Sequence, residues 1–265
     1  MARRSTRPQD PRPESLICWE ALDPDDPALA QARALYETLI EPAERIPWEW
    51  IAESPVRRRA WRPGRWAPHL LLAAPGGEAS GPGQLAGFAY GAHVPGFGGY
   101  VCYLATAPEH RGRGIGTHLI RTLILLLRVD AACSGVPLPF VVWESRRPGP
   151  AAPAEARANW QARLRLFTRL GVSWVSGLDF LAPDFTRRQG PPVPLQLFML
   201  PVDTPPAAFD APALRAVAAG LLEGVYGRTA GDPLFDRTLA GAVEPALRPA
   251  AEADLLGNEA PAGRS

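Results

Sequence analysis

The sequence predicts a mixed α/β (α+β) fold in which helices flank a central, mostly antiparallel sheet. In the middle of the chain, an aromatic and β-branched strand (100–106) leads through a glycine-rich turn (111–116) into a leucine-rich helix (115–128). Two apolar segments, 68–74 and 84–92, precede it and are separated by PGGEASGPG, a sequence typical of a flexible hairpin loop. Because strands joined by a hairpin pair antiparallel, these observations predict the sheet and its flanking helix.

The remaining elements are predicted from apolar periodicity and from capping residues. They are strands 15–20, 139–144, 172–180 and 194–200 and helices 27–40 and 156–170. Asp210 is predicted to cap a further helix, whose apolar stripe includes Leu214, Val217, Leu221 and Val225. Such a stripe requires burial, so it covers either its own sheet or a partner subunit, and the chain is expected to be a monomer or a homodimer.

The predicted domain organisation follows from composition and element order. Residues 1–14 are polar and proline-rich and are predicted to form a disordered N-terminal tail. Residues 15–203 form the predicted main domain, and residues 204–248 form a C-terminal helical extension. The polar, Ala/Gly-rich residues 249–265 are predicted to be a disordered C-terminal tail.

Composition excludes several classes of protein. The 265 residues are 46% hydrophobic with a formal net charge of +1, which suits a packed core and gives no basic surplus for nucleic acid. No apolar run approaches the length of a membrane span, and the N-terminus lacks a hydrophobic signal core. Cys18, Cys102 and Cys133 lack metal-site spacing. We therefore expect a cytoplasmic protein with no metal, no nucleic-acid partner and no membrane association.

The glycine-rich turn has alternating glycines at Gly112, Gly114 and Gly116, immediately before the helix. Without Cβ atoms these positions let a ligand lie on the backbone, and free amides at a helix start favour an anion. The turn is therefore predicted to bind a pyrophosphate, with a tight, ligand-free turn as the alternative. A P-loop would need a lysine, which the chain lacks, and a dinucleotide-binding turn would need G-x-G-x-x-G spacing.

The sequence APEH (107–110) precedes an R-x-x-G-x-G pattern in this turn, and the whole strand, turn and helix resemble motif A of the GNAT superfamily of acyl-CoA-dependent N-acetyltransferases. The stretch ANWQARLRLFTRLGV (158–172) resembles the fourth-helix signature of the same family. The resemblance implies a sheet with two splayed parallel strands and acetyl-CoA (coenzyme A) as co-substrate. The implied cofactor-binding residues are Leu104, Ala105, Thr106, Arg111, Gly112, Arg113, Gly114, Ile115, Gly116, Thr117, Asn159 and Phe167.

The resemblance also implies direct attack of an amine on acetyl-CoA in a ternary complex, and it leaves the proton transfers open. Many GNAT enzymes protonate the CoA thiolate with a fourth-helix tyrosine, and the matching residue here is Phe167. Tyr103 is then a candidate proton donor, or the thiolate leaves unassisted, or the domain binds acyl-CoA without efficient catalysis. Glu144 is a candidate base or a salt-bridge partner, Glu109 a candidate helix cap, and His93 a loop residue or a base.

Residues 47–66 carry four tryptophans around the arginine run 57–59 and, in the GNAT arrangement, border the acceptor site. They are predicted to form either an aromatic, cationic wall for an acceptor with a carboxylate or phosphate, or a tryptophan core beside solvated arginines. The sequence thus predicts transfer of an acetyl group to the amino group of an unidentified acceptor. The alternatives are a catalytically weak or inactive acyl-CoA-binding regulatory module and a plain α/β domain without cofactor.

Overall fold

A computed structural model describes residues 15–76, 84–185 and 190–257 of the chain. In these residues nine strands form a mixed sheet with helices on both faces. The strands are β1 (Ser15–Glu20), β2 (His69–Gly76), β3 (Gly87–Val94), β4 (Gly98–Thr106), β5 (Phe140–Ser145), β6 (Ser173–Ser176), β7 (Phe180–Ala182), β8 (Val193–Pro201) and β9 (Ala246–Pro249). The α-helices are α1 (Ala28–Leu39), α2 (Trp48–Ala52), α3 (Ser54–Arg59), α4 (Ile115–Cys133), α5 (Ala154–Leu170), α6 (Ala211–Gly224) and α7 (Pro233–Ala240).

The strand order is β1-β2-β3-β4-β5-β8-β6-β9, with β7 paired to β8. All pairs are antiparallel except β4 and β5, which pair in parallel only at Gly99–Val141 and Tyr100–Val142. Beyond these two positions the ladder stops and the strands diverge. The structure therefore confirms the predicted mixed fold with one splayed parallel pair.

A β-bulge interrupts the pairing of β3 with β4. Tyr90 lies opposite Tyr103 and Gly91 lies opposite Val101, so that Cys102 is an extra residue in β4. The extra residue shifts the alternation of side chains, and Tyr100 and Tyr103 consequently point to the same face of the sheet. Val101 points to the opposite face, against α4.

The two faces of the sheet are covered by different helices. Helix α4 buries Leu119, Leu123 and Leu127 completely against one face, where α5 also packs. It continues to Cys133, five residues past the predicted end at 128. The other face is covered by α1 over β2 to β4 and by α6 over the far end of β4, β5 and β8. No described helix has both the length and the apolarity needed to span a bilayer.

The C-terminal extension packs on the sheet of its own chain. Asp210 caps α6 as predicted, because its side chain accepts a hydrogen bond from the Ala213 N–H at 2.9 Å. Leu214 and Leu221 of the predicted stripe are fully buried against the sheet. The helix ends at Gly224, one residue before Val225 of the predicted stripe.

Two sequence predictions about the C-terminal half are wrong. The segment 172–180 is not one strand, because the chain turns at Gly177 with φ 69°, where an added Cβ would lie 2.2 Å from the Val243 carbonyl oxygen. Residues 249–257 are not a disordered tail: Pro249 ends β9, and Ala250–Gly257 form a 3₁₀-helix. Asp254 ties that helix to α5 by accepting hydrogen bonds from Trp160 Nε1 at 3.1 Å and from Gln161. The rest of the predicted tails, 1–14 and 258–265, lies outside the described residues.

Candidate active site

A cleft of about 840 Å³ opens where β4 and β5 diverge. One end of the cleft, here called the glycine-turn end, is lined by the turn before α4 and by one side of α5. The other, here called the aromatic end, is lined by Trp50, Phe185 and Tyr226 together with Glu144. One continuous cavity of this size can hold two reactants side by side.

The three alternating glycines have different reasons to be glycine. Gly112 and Gly114 have φ angles of 79° and 83°, a left-handed conformation that side chains rarely adopt. Gly116 lies in the first turn of α4 outside that region, and a Cβ added there would meet Thr106 Oγ1 at an unstrained 3.4 Å. Neither backbone nor packing requires glycine at this position. Because Gly116 lines the cleft, close approach of a ligand to the backbone explains it.

The first amides of α4 belong to residues that line this end of the cleft. The first intrahelical hydrogen bond is donated by the His118 N–H to the Gly114 carbonyl at 2.9 Å, so the amides of Ile115, Gly116 and Thr117 precede it. Arg111 braces the turn by donating to Asn159 Oδ1 at 2.9 Å and to the Thr106 carbonyl at 3.3 Å. The predicted contact residues Arg111 and Asn159 therefore also hold each other in place.

The predicted cofactor-binding residues line the cleft, with the exception of Arg113. Two further polar atoms of the cleft lining, His110 Nδ1 and Trp143 Nε1, are buried and have no hydrogen-bond partner among the described residues. Buried polar atoms of this kind are usually satisfied by a ligand or by water. The turn that contains Gly112, Gly114 and Gly116 is called the glycine cradle below. This cradle, the diverging strands and the two unpaired atoms together fit a ligand with a phosphate group and an extended polar arm.

Glu144 lies on β5 at the junction of the two ends. Burial raises the pKa of Glu144 to about 7. The Tyr226 hydroxyl donates a hydrogen bond to Glu144 Oε1 at 2.8 Å, which favours the carboxylate and opposes part of this rise. The Tyr226 hydroxyl also lies 3.3 Å from the Tyr100 hydroxyl. In the described part of the chain no ion pair joins Glu144 to an arginine. Its environment is that of a carboxylate poised to exchange a proton near neutral pH.

The sequence profile of the Acetyltransferase (GNAT) family matches residues 31–134, which include the glycine turn and α4. Residues 31–134 belong to the GNAT family. This finding confirms the family that the sequence motifs predicted, and GNAT proteins use acetyl-CoA. A comparison with curated proteins found no significant match.

Two solved structures are similar to this chain, and the first of them shares its fold. A protein from Bacteroides thetaiotaomicron described as a GNAT-family acetyltransferase aligns over 80% of this chain and 99% of its own, with 18% identity and a TM-score of 0.53. NAA60 from Arabidopsis thaliana, solved with a bisubstrate analogue, aligns over 72% of this chain and 100% of its own, with 15% identity and a TM-score of 0.49.

The hydroxyl that many GNAT enzymes carry on the fourth helix is absent from α5 at the matching position. Phe167 is buried there, with its ring 5.3 Å from that of Trp143 and 4.7 Å from that of Phe198. The hydroxyl of Tyr103, the other candidate donor, accepts from the Ile46 N–H at 2.9 Å and donates to the Glu44 carbonyl at 2.8 Å. Its proton is thus held by the backbone, and burial also raises its pKa.

Glu44 and Tyr226 are cleft residues that the sequence did not single out. Glu44 ends the 3₁₀-helix Pro42–Glu44, and burial raises its pKa, while the nearby Arg163 opposes the rise. Tyr226 follows α6, beyond the last position of the apolar stripe. Neither residue belongs to a local motif, because each reaches the cleft only through the packing of its helix. Within residues 15–76, 84–185 and 190–257, no cluster of His, Cys, Asp or Glu could hold a metal ion.

The arginine run of residues 57–59 does not form a free cationic wall. Arg58, whose side chain is 12% exposed, donates to both carboxylate oxygens of Asp130, at 2.7 and 3.1 Å. Arg59 lies 3.4 Å from Asp23. Arg57 forms an ion pair with Glu53 at 2.6 Å. Each arginine of the run therefore has an acidic partner within the protein.

The tryptophans of the same segment divide into two groups. Trp48 packs 5.6 Å from the ring of Tyr36, and Trp61 donates to the Arg65 carbonyl at 2.8 Å. Trp50 and Trp66 are 43% and 41% exposed and line the cleft. The structural role therefore describes Trp48 and Trp61, and the aromatic acceptor wall stays a prediction for Trp50 and Trp66.

His93 does not lie in a loop. It belongs to β3, where it is 4% exposed, and it lies outside the lining of the cleft. Burial lowers its pKa. Its position gives it no contact with a reacting group, and Glu144 is the better candidate for the base.

Proposed function

We propose that the protein is an N-acetyltransferase that transfers the acetyl group of acetyl-CoA to an amino group by direct attack in a ternary complex. The observation that carries this proposal is the position of Glu144 in the same cleft as the glycine cradle, with a pKa of about 7. A carboxylate with that pKa can accept a proton from an ammonium group near neutral pH. Membership of the GNAT family supports the acyl transfer in general.

At the glycine-turn end, we assign the amides of residues 111–117 to the pyrophosphate of CoA. The backbone of Leu104, Ala105 and Thr106 is exposed by the divergence of β4 from β5 and can pair with the pantetheine arm. Acetyl-CoA supplies the thioester that is cleaved. Arg111 and Asn159 keep the turn in the conformation that presents its amides.

At the junction with the aromatic end, Glu144 accepts the proton that the acceptor must lose. The neutral nitrogen then forms a bond to the acetyl carbon, the bond from that carbon to sulfur breaks, and the nitrogen releases its second proton to solvent. Because the Tyr103 proton is held by the Glu44 carbonyl, we propose that the thiolate leaves without an acid from the protein. A thiol pKa near about 8.5 makes the thiolate an adequate leaving group.

The alternative function is an acyl-CoA-binding regulatory module with weak or no catalysis. Phe167 favours it, since that position offers no proton and the ring is part of the core. Loss of general-acid help typically slows a reaction by about 10²–10⁴ and does not abolish it, so the enzyme hypothesis remains the better one. We further propose a cytoplasmic location, since the free thiols of Cys18, Cys102 and Cys133 suit a reducing compartment.

Two measurements on the full chain test the proposed function. Isothermal titration with acetyl-CoA should give one site per chain. A thiol-release assay at pH 8 over a panel of amines, amino acids and peptides should then show acetyl transfer to at least one acceptor class. Binding without turnover on any acceptor would favour the regulatory module, and absence of binding would contradict both functions.

A further inference from the structure

Three large aromatic side chains are exposed around one mouth of the cleft. Trp50 is 43% exposed, Trp66 41% and Phe185 36%, and all three line the aromatic end. They come from α2, from the segment between α3 and β2, and from the segment that follows β7. Single exposed aromatic residues are common, but several that converge on a concave surface mark a binding site.

The rings form one connected wall. The centroids of Trp50 and Phe185 lie 5.6 Å apart with an interplanar angle of 76°, and those of Phe185 and Tyr226 lie 6.1 Å apart with an angle of 25°. Rings in contact of this kind present a continuous aromatic, apolar surface to a ligand. The wall leads from the mouth to Glu144, because the third ring carries the hydroxyl that bonds its carboxylate at 2.8 Å.

Among the described residues, the carboxylate of Glu144 lies at the inner end of this wall, bonded to the Tyr226 hydroxyl. The arginine that lies beside the mouth, Arg57, is paired with Glu53 and stacks 5.5 Å from the Trp66 ring. Arg163, Arg165 and Arg169 line the cleft from α5, on the side of the glycine-turn end, where Arg163 donates to Ser145 Oγ and Glu44 supplies a nearby opposite charge. An ammonium group that reaches Glu144 therefore meets a carboxylate and π faces, both of which attract a cation. A carboxylate on the carbon next to the nitrogen would meet the same Glu144 and be repelled.

We propose that the aromatic end is an acceptor subsite for a primary amine on a flat apolar body, with no carboxylate beside the nitrogen, as in an arylalkylamine. This inference rests on the proposed acetyl transfer. The rings of Trp50, Phe185 and Tyr226 hold the apolar body, and Glu144 receives the amino group. The extension after residue 204 is then part of the substrate site, because it supplies Tyr226.

The test compares amines that differ only in the carboxylate: phenethylamine with phenylalanine, and tyramine with tyrosine. In the thiol-release assay, kcat/KM for each amine should exceed that for the matched amino acid by about tenfold or more. Trp50→Ala and Phe185→Ala should each raise KM for phenethylamine by roughly tenfold while leaving the Kd for acetyl-CoA unchanged. Val56→Ala is the control, because Val56 is 55% exposed on the neighbouring helix α3 and lies outside the cleft lining.

The outcomes separate this inference from the proposed function. If an amino acid or a peptide N-terminus is acetylated more efficiently than both amines, the acceptor inference is overturned while acetyl transfer stands. If acetyl-CoA binds but no acceptor is turned over, titration of the CoA-bound protein with phenethylamine decides. Binding that both alanine variants weaken would support the subsite without catalysis, and absence of binding, or equal binding by the variants, would overturn it.

Discussion

The two ends of the cleft are built in opposite ways. The glycine-turn end comes mainly from one contiguous stretch, from Leu104 to Thr117, and presents backbone groups. The aromatic end comes from α2, β5, the segment after β7 and the residues after α6, and presents side chains. A site made of backbone restricts which residues can occupy a short stretch, and so it leaves a local pattern. A site made of distant side chains leaves none.

The largest expected effect is at the junction of the two ends. Glu144→Gln should lower kcat by about 10²–10⁴ because the base is lost, while the Kd for acetyl-CoA stays the same. In the parent enzyme, kcat/KM should rise with pH through about 7, since the Glu144 carboxylate must be ionised to accept a proton. Glu49→Gln, an exposed change on α2, is the control and should retain activity. Equal turnover by Glu144→Gln and the parent would assign the base elsewhere.

Weakening the packing of α6 on the sheet should impair acceptor binding at the aromatic end more than acetyl-CoA binding at the glycine-turn end. Leu221 is fully buried against the sheet, so Leu221→Ala should lower the free energy of unfolding by about 2–5 kcal/mol. Urea denaturation measures this value, and Leu125→Ala, at a position 59% exposed on α4, should change it by less than about 0.5 kcal/mol. In folded Leu221→Ala, KM for the acceptor should rise more than the Kd for acetyl-CoA. Equal changes in both would mean that the two ends are not independent.

A side chain introduced into the glycine cradle should weaken acetyl-CoA binding at the glycine-turn end without affecting the aromatic end. Gly116→Val places a side chain where the ligand is expected to approach, and should raise the Kd for acetyl-CoA by about 100-fold, or ~2.7 kcal/mol, in isothermal titration. The thermal midpoint should not fall, because Gly116 has no left-handed φ and the nearest atoms leave room for a Cβ. Gly114 is less suitable, since its φ of 83° would strain any side chain. Gly149→Val, in a loop with open space around its Cα, is the control, and unchanged affinity in Gly116→Val would disprove the cradle.

The smallest effect concerns the hydrogen bond between the extension and the base. The Tyr226 hydroxyl favours the ionised form of Glu144, so Tyr226→Phe should raise the pKa of that carboxyl further. The acidic limb of the pH profile of kcat/KM should move to higher pH by roughly one unit, with little change above pH 9. A uniform loss at all pH values would instead indicate that the ring, and not the hydroxyl, matters.

The sequence predicted the fold well where local pattern determines structure. The start of α4 after the glycine turn, the leucine periodicity of α4 and the cap at Asp210 each depend on neighbouring residues, and each of these predictions agrees with the structure. The bulge at Cys102 was not predicted, because it is defined by the register of β4 against β3. The break at Gly177 depends on the distant Val243 carbonyl.

The same distinction explains what was missed at the site. Glu144 was found because it ends a recognisable strand, whereas Tyr226 meets it across 82 positions of sequence. The pairing of Arg58 with Asp130 is equally distant, and without it the arginine run was open to interpretation as an anion site. The charge of a pocket depends on which charged residues are paired in the fold. Partners that are far apart in the sequence leave no local pattern from which the pairing can be predicted.

The position of Tyr226 late in the sequence also affects when the cleft can be completed during synthesis of the chain. A ribosome delivers the chain from the N-terminus, and segments begin to fold as they emerge. The glycine turn, α4 and α5 are complete once residue 170 has been released, but Tyr226 and strand β9 emerge only later. A nascent chain could thus hold its acetyl donor before the residue that orients its base has left the ribosome. Of the proposed acceptor residues, Trp50 is made before the glycine turn and Tyr226 after it, so the aromatic end is the last part of the cleft to be completed.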